Sequence, residues 1–145
     1  MSVAREVTPE RAIETLTWAA DVAQDPALLE QKPNRPSPAE WRAVPVSSFR
    51  EQVDRLLCAK FPEPGLDAIE LVGGLDVWLP EVAAMVGFGD NEWRHKDVWK
   101  HTKQVVKQSV PRADVRWGAL LHDIGKPKTR RIDERGNVSF HGHAE

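Results

Sequence analysis

The run Trp117-Gly118-Ala119-Leu120-Leu121-His122-Asp123-Ile124 sets an imidazole and a carboxylate at the end of an otherwise apolar stretch. On a helix, Trp117, Ala119, Leu120, Leu121 and Ile124 project in nearly every direction, so the pattern predicts a buried central helix over 113–124. Burying an ionised carboxylate without a partner costs on the order of several kcal/mol, so Asp123 needs a cation or strong donors. A divalent metal shared with His122 meets that need. So does an ion pair with a nearby Lys or Arg, with His122 packed as a neutral ring. Any fold of this chain must satisfy one of these arrangements.

The flanking residues bear on the choice. Gly125-Lys126-Pro127 follows at once, putting a sharp turn and a cation beside the pair. One helix earlier, His101 shares a face with Val98 and Val105, which is expected to point inward. Two imidazoles and a carboxylate form a three-ligand set suited to a divalent metal. The basic run Lys126, Lys128, Arg130 and Arg131 is the densest in the chain and is expected to clamp phosphate. His141 and His143 alternate, so they share one side if the segment is extended, and His95 precedes the helix that carries His101.

The rest of the chain reads as mainly α. Thr8-Pro9-Glu10 opens a first helix that runs to Asp25-Pro26. Residues 31–46 hold Pro33, Pro36, Pro38 and Pro45 and read as a linker. A second helix starts at Ser47 or Ser48 and ends at Phe61-Pro62-Glu63-Pro64-Gly65. Two short helices are expected over 66–72 and 79–86, and longer ones over 98–109, behind the cap Asp97, and 113–124. Segments 130–133 and 138–141 flank Glu134-Arg135-Gly136-Asn137 as a short hairpin. The expected division is a helical arm over 1–30, a linker over 31–46 and a domain over 47–145.

Composition narrows the class. Of 145 residues, 41% are hydrophobic and 29% charged, ordinary for a globular protein and too apolar for a disordered one. No apolar run approaches the roughly 20 residues needed to cross a bilayer, and no secretory signal opens the chain. The single cysteine, Cys58, excludes an internal disulfide and a cysteine-rich zinc site. These features lead to the expectation of a cytoplasmic protein. Residues 1–90 carry a net charge of −7, residues 91–145 carry +5, and all five histidines lie in the second part. A basic, His-rich end is expected to meet an anion, phosphate above all.

His101-Thr102, followed by Leu121-His122-Asp123-Ile124-Gly125-Lys126-Pro127, resembles the signature of the HD-domain metal-dependent phosphohydrolases. More narrowly, the stretch from His95 to Thr102, residues 119–130, and Gly136 through Gly142-His143-Ala144-Glu145 are similar to the HD region of bacterial CCA-adding tRNA nucleotidyltransferases. The likeness covers about residues 47–145 and, more weakly, the first helix. It implies a helical HD bundle that binds a divalent metal (Mn, Fe, Ni, Co, Mg or Zn) through His101, His122 and Asp123. Asp123 would also orient the nucleophilic water, with Lys126 neutralising phosphate charge and His95 at the pocket mouth. The substrate implied is a phosphorylated nucleotide or an RNA end, with nothing that points to DNA.

Two departures from that family qualify the expectation. A nucleotidyltransferase head needs a Gly-Gly turn and paired acids on a strand. Gly73-Gly74-Leu75-Asp76 lies in helical surroundings without the second acid, so no nucleotide addition is expected. HD domains also complete their site with a later Asp, yet the only later Asp here is Asp133 in the hairpin. The chain therefore reads as truncated within its HD domain, or as taking its last ligand from His143, His141, water or another subunit. The uncovered apolar surface of Trp117, Leu120, Leu121 and Ile124 would then be met by the N-terminal arm or a second copy, as a homodimer. The competing expectation is a non-catalytic RNA-binding or scaffolding module derived from a tRNA-processing enzyme.

Overall fold

A computed structural model describes residues 7–86 and 98–124, together with the backbone of two short strands. The elements are α1 (Glu10–Val22), a 3-10 turn (Pro26–Gln31), α2 (Pro38–Ala43), α3 (Val46–Cys58), α4 (Pro62–Leu71), α5 (Gly74–Trp78) and α6 (Pro80–Ala83). After them come α7 (Val98–Gln108), α8 (Ala113–Leu121), β1 (Arg130–Ile132) and β2 (Val138–Phe140). The strands pair antiparallel, with Arg131 opposite Ser139. The protein is mainly α, with its short hairpin near the C-terminus, as the residue pattern predicts.

Small residues hold the first helices close. α1 buries Ala12, Leu16, Ala19 and Ala20, and it packs against α3 and α4. At the crossing, a Cβ added to Gly65 of α4 would lie 2.7 Å from Ala23 Cβ and 2.9 Å from Leu56 Cγ. The absence of a side chain there is what lets three backbones meet. Phe61-Pro62-Glu63-Pro64-Gly65, expected to end a helix, instead opens α4. Pro62 sits in its first turn, where no backbone N–H is required and the fixed φ already suits a helix.

The Pro-rich segment 31–46, expected to be a linker, contains α2. Ser37 accepts from the Glu40 backbone N–H while the Glu40 carboxylate accepts from the Ser37 N–H, a reciprocal cap. Glu40 also accepts two bonds from Arg11 on α1, at 2.6 and 2.9 Å. Trp41 is buried and donates its indole N–H to the Val72 carbonyl at 2.9 Å. Trp78 in turn donates to the Trp41 carbonyl at 2.7 Å and stacks on Phe49, with ring centroids 4.6 Å apart. The prolines shape this segment without releasing it from the core.

α7 buries Val98, Trp99, Thr102 and Val106 and packs on α4 and α8. Its Lys103 reaches Asp67 of α4 at 2.6 Å. α8 packs against α7 and α3. The expected all-round burial of α8 is not found. Arg116, Ala119 and Leu120 are buried, whereas Val115 is 36% and Leu121 37% exposed. A Cβ on Gly118 would meet nothing within 4 Å. Among the described residues α8 packs chiefly against α3 and α7. The N-terminal α1 is engaged instead with α3 and α4.

Candidate metal centre

α8 ends at Leu121, and His122 caps it with helical dihedrals, φ −63° and ψ −27°. The Ile124 N–H donates to the Leu121 carbonyl at 3.3 Å, so the His-Asp pair sits in a tight turn that prolongs the helix. Asp123 is buried, with its side chain only 3% exposed, while His122 is about one-third exposed. His101 projects from α7 with its ring centroid 5.8 Å from that of His122, edge to face. One ligand atom from each of His101, His122 and Asp123 lies within 4.8 Å of the others.

The hydrogen bonding of His122 fixes which nitrogen is offered. Nδ1 lies 2.5 Å from the Ala119 carbonyl. A carbonyl only accepts, so Nδ1 carries the proton and the neutral ring presents its lone pair at Nε2. Nε2 stands 2.9 Å from Asp123 Oδ2. At that distance the nitrogen and the carboxylate oxygen need a shared cation or a shared proton between them. Two atoms bound to one ion at about 2.1 Å can be at most about 4.2 Å apart. At the roughly tetrahedral angle open to three ligands the separation is about 3.4 Å, so a pair as wide as 4.8 Å needs to close by about 1.4 Å to share an ion. Two imidazoles and a carboxylate, one ring oriented by a backbone carbonyl, fit a borderline divalent cation.

The structure thus brings together three of the residues singled out from sequence. His101 differs in one respect, because it is exposed rather than inward. It lies roughly a third of a turn from the centre of the buried face of α7, and reaches the pair from the flank. His95, Lys126, Lys128, Asp133, His141 and His143 lie outside the described residues, as do the side chains of Arg130 and Arg131.

One residue of this region escaped the sequence reading. Arg116, 6% exposed, donates from Nη1 to the Leu57 carbonyl at 2.6 Å and the Ala59 carbonyl at 3.0 Å. Nη2 and Nε reach the Ser109 carbonyl at 3.0 and 3.2 Å. Those carbonyls belong to the ends of α3 and α7, where helix dipoles concentrate negative charge. The only available signal was a lone arginine in an apolar helix, six residues before His122. Beside it, the Trp117 indole donates to Asp54 of α3 at 2.6 Å.

Comparison with known proteins bears on the same region of the chain. The family model described as HD domain matches residues 94–145. The CC-adding tRNA nucleotidyltransferase of Thermus thermophilus is 42% identical over 102 residues, 66% of this chain and 24% of that protein. The A-adding tRNA nucleotidyltransferase of Deinococcus radiodurans is 37% identical over 114 residues, 74% of this chain and 25% of that protein. A multifunctional CCA protein of Pseudomonas fluorescens is 29% identical over 131 residues, 83% of this chain and 32% of that protein. The chain therefore spans about a quarter to a third of the curated relatives it matches. No solved structure matches it. Among the described residues, no helix is long and apolar enough to cross a membrane. The molecule is a helical protein with an HD domain over residues 94–145, and its relatives are tRNA nucleotidyltransferases.

Proposed function

We propose that this chain is a metal-dependent phosphohydrolase acting on a nucleotide or RNA-end phosphate, and that it does not transfer nucleotides. The observation that carries this reading is the convergence of His101, His122 and Asp123 within 4.8 Å. The HD match over 94–145 and the tRNA-processing names of the relatives support the chemistry and the RNA-related substrate class.

In this reading His101, His122 and Asp123 hold the ion, and His143 is the candidate for a further ligand. A divalent cation, when bound, polarises a phosphoryl oxygen and acidifies water. Asp123, buried and fixed at the end of α8, orients the attacking water. The Ala119 carbonyl keeps the His122 proton on Nδ1, so that Nε2 stays available. Lys126, Lys128, Arg130 and Arg131 neutralise and orient the phosphate, and His95 lines the mouth of the pocket.

Elemental analysis of the purified protein, with phosphate release measured across Mn, Fe, Co, Ni, Mg and Zn, tests the proposal. Nucleoside monophosphates and 2′,3′-cyclic phosphates are the substrates to offer first. We expect stoichiometric metal, loss of that metal in His122→Ala and Asp123→Ala, and phosphate release without incorporation of CTP or ATP into tRNA. Unchanged metal content in both variants refutes the site, and nucleotide incorporation refutes the exclusion of transfer. Bound RNA with no hydrolysis under any of these metals would instead support a binding or scaffolding module.

A further inference from the structure

We infer that Arg116 is the positioning residue of this centre: by joining the C-terminal ends of α3 and α7 to α8, it sets the α7–α8 register that brings His101 to His122 and Asp123. The inference rests on the reading of those three residues as a metal site, and adds to it a buried group that never touches the ion.

His101 belongs to α7, whereas His122 and Asp123 follow α8. Their meeting is therefore set by how two separate helices are placed, and a slide of one turn would part the ligands by about 5.4 Å. Ordinary apolar packing on α8 is narrow, because Val115, Gly118 and Leu121 face outward. Arg116 supplies what that face lacks. Its guanidinium is buried, and its hydrogen bonds run to main-chain carbonyls of Leu57, Ala59 and Ser109. A planar fork of five donors can satisfy two helix ends at once in a single geometry, which a flexible ammonium cannot reproduce. The positive charge also sits where two helix dipoles end, so it is compensated only when both helices are seated.

The arrangement is specific in direction. Ser109 lies immediately past the end of α7, so its carbonyl reports where that helix stops. Leu57 and Ala59 mark the end of α3 in the same way. A single side chain thus measures α8 against two helix termini. His122 lies six residues further along the same helix, and any rotation of α8 is transmitted to it.

Three variants and the intact chain test this. Arg116→Met removes the charge and the fork, Arg116→Lys keeps the charge, and Arg112→Met alters an arginine of α8's cap whose side chain is 68% exposed. The readouts are Co2+ titration with its visible d–d spectrum, and the nuclear Overhauser contact between the His101 and His122 rings in metal-free protein. We expect Arg116→Met to lose the ring contact and at least tenfold in Co2+ affinity, with an altered spectrum and unchanged helical content. Arg116→Lys should recover part of the affinity, and Arg112→Met should match the parent. Affinity within twofold of the parent in folded Arg116→Met or Arg116→Lys, with the ring contact kept, overturns the inference. Failure of both Arg116 variants to fold also overturns it, because Arg116 would then be a plain stability element. If the parent binds no Co2+, the metal reading fails, and the ring contact still decides whether Arg116 sets the register.

Discussion

Two glycines on different helices should respond to the same substitution with opposite sign. In a helix interior, Gly→Ala gains up to about 1 kcal/mol, because alanine loses less backbone freedom on folding. Gly118 of α8 should show that gain, since its new Cβ meets nothing within 4 Å. Gly65 of α4 starts with much the same gain but places its Cβ 2.7 Å from Ala23 Cβ and 2.9 Å from Leu56 Cγ. Neither neighbour is the free end of a long side chain, so relief requires α1 or α3 to move. Overpacking of this kind costs about 1–3 kcal/mol. The net for Gly65→Ala is then a loss of up to about 2 kcal/mol, and the two variants should differ by about 1–3 kcal/mol. For a chain of this size, about 4 °C in Tm accompanies each kcal/mol, so their midpoints should stand about 4–12 °C apart. Denaturant unfolding of both beside the parent measures this without relying on heat reversibility. A Gly65→Ala protein as stable as Gly118→Ala would show that the three-helix crossing is looser than its distances imply. A Gly118→Ala protein with no gain would show that the outer face of α8 is not open in solution.

The Arg11 bond is the chief cause, with the Ser37 backbone N–H next, that holds the Glu40 carboxyl down at about 2 from an ordinary 4.5. Because the folded value lies below the unfolded one, the stabilisation is complete above about pH 4.5 and is lost as pH falls towards 2. A urea series across that window should show the loss in the parent and a flatter profile in Glu40→Gln; parallel profiles would contradict the assignment. Trp41→Phe removes the indole donor from the buried Val72 carbonyl and leaves a void, at a combined cost of about 2–4 kcal/mol in chemical unfolding. A cost below about 1 kcal/mol would mean that the 31–46 segment is not seated in the core as described.

What could be read in advance, and what could not, follows from how each signal is encoded. α7 and α8 were legible because apolar residues recur at helical spacing and Pro111 separates them. His122 and Asp123 of the candidate centre were legible because a carboxylate at the end of an apolar helix demands a partner, whatever the fold. α2 was hidden behind four prolines, which signal irregular backbone when counted but do not show that Ser37 and Glu40 form a reciprocal cap. Pro62 was read as a stop because its ring excludes a preceding helix as readily as it begins a new one. The exposed side of α8 was missed because residue types show what can be buried, whereas the supply of neighbours depends on tertiary packing. Arg116 is the sharpest case. Its partners are backbone carbonyls, which every residue carries, so no side chain elsewhere in the sequence marks where it goes.

The Arg116 clamp also has a consequence in time. Arg116 binds carbonyls 59 and 57 residues earlier in the chain, and Trp117 binds a carboxylate 63 residues earlier. Those acceptors gain their shape and charge only once α3 has formed and terminated, whereas α1 meets α3 and the start of α4 across 34 and 38 residues, at Arg55–Asp21 and Phe61–Ala23. Closing the longer loops carries the larger entropic cost and slows their formation. We expect α8 to dock on α3 after α1, α3 and α4 have met, so that His101, His122 and Asp123 come together late in folding. A divalent ion added to the refolding chain would then leave the early hydrophobic phase untouched and slow only the release of α8. The centre's occupancy would set how long the molecule stays folded rather than how quickly it folds.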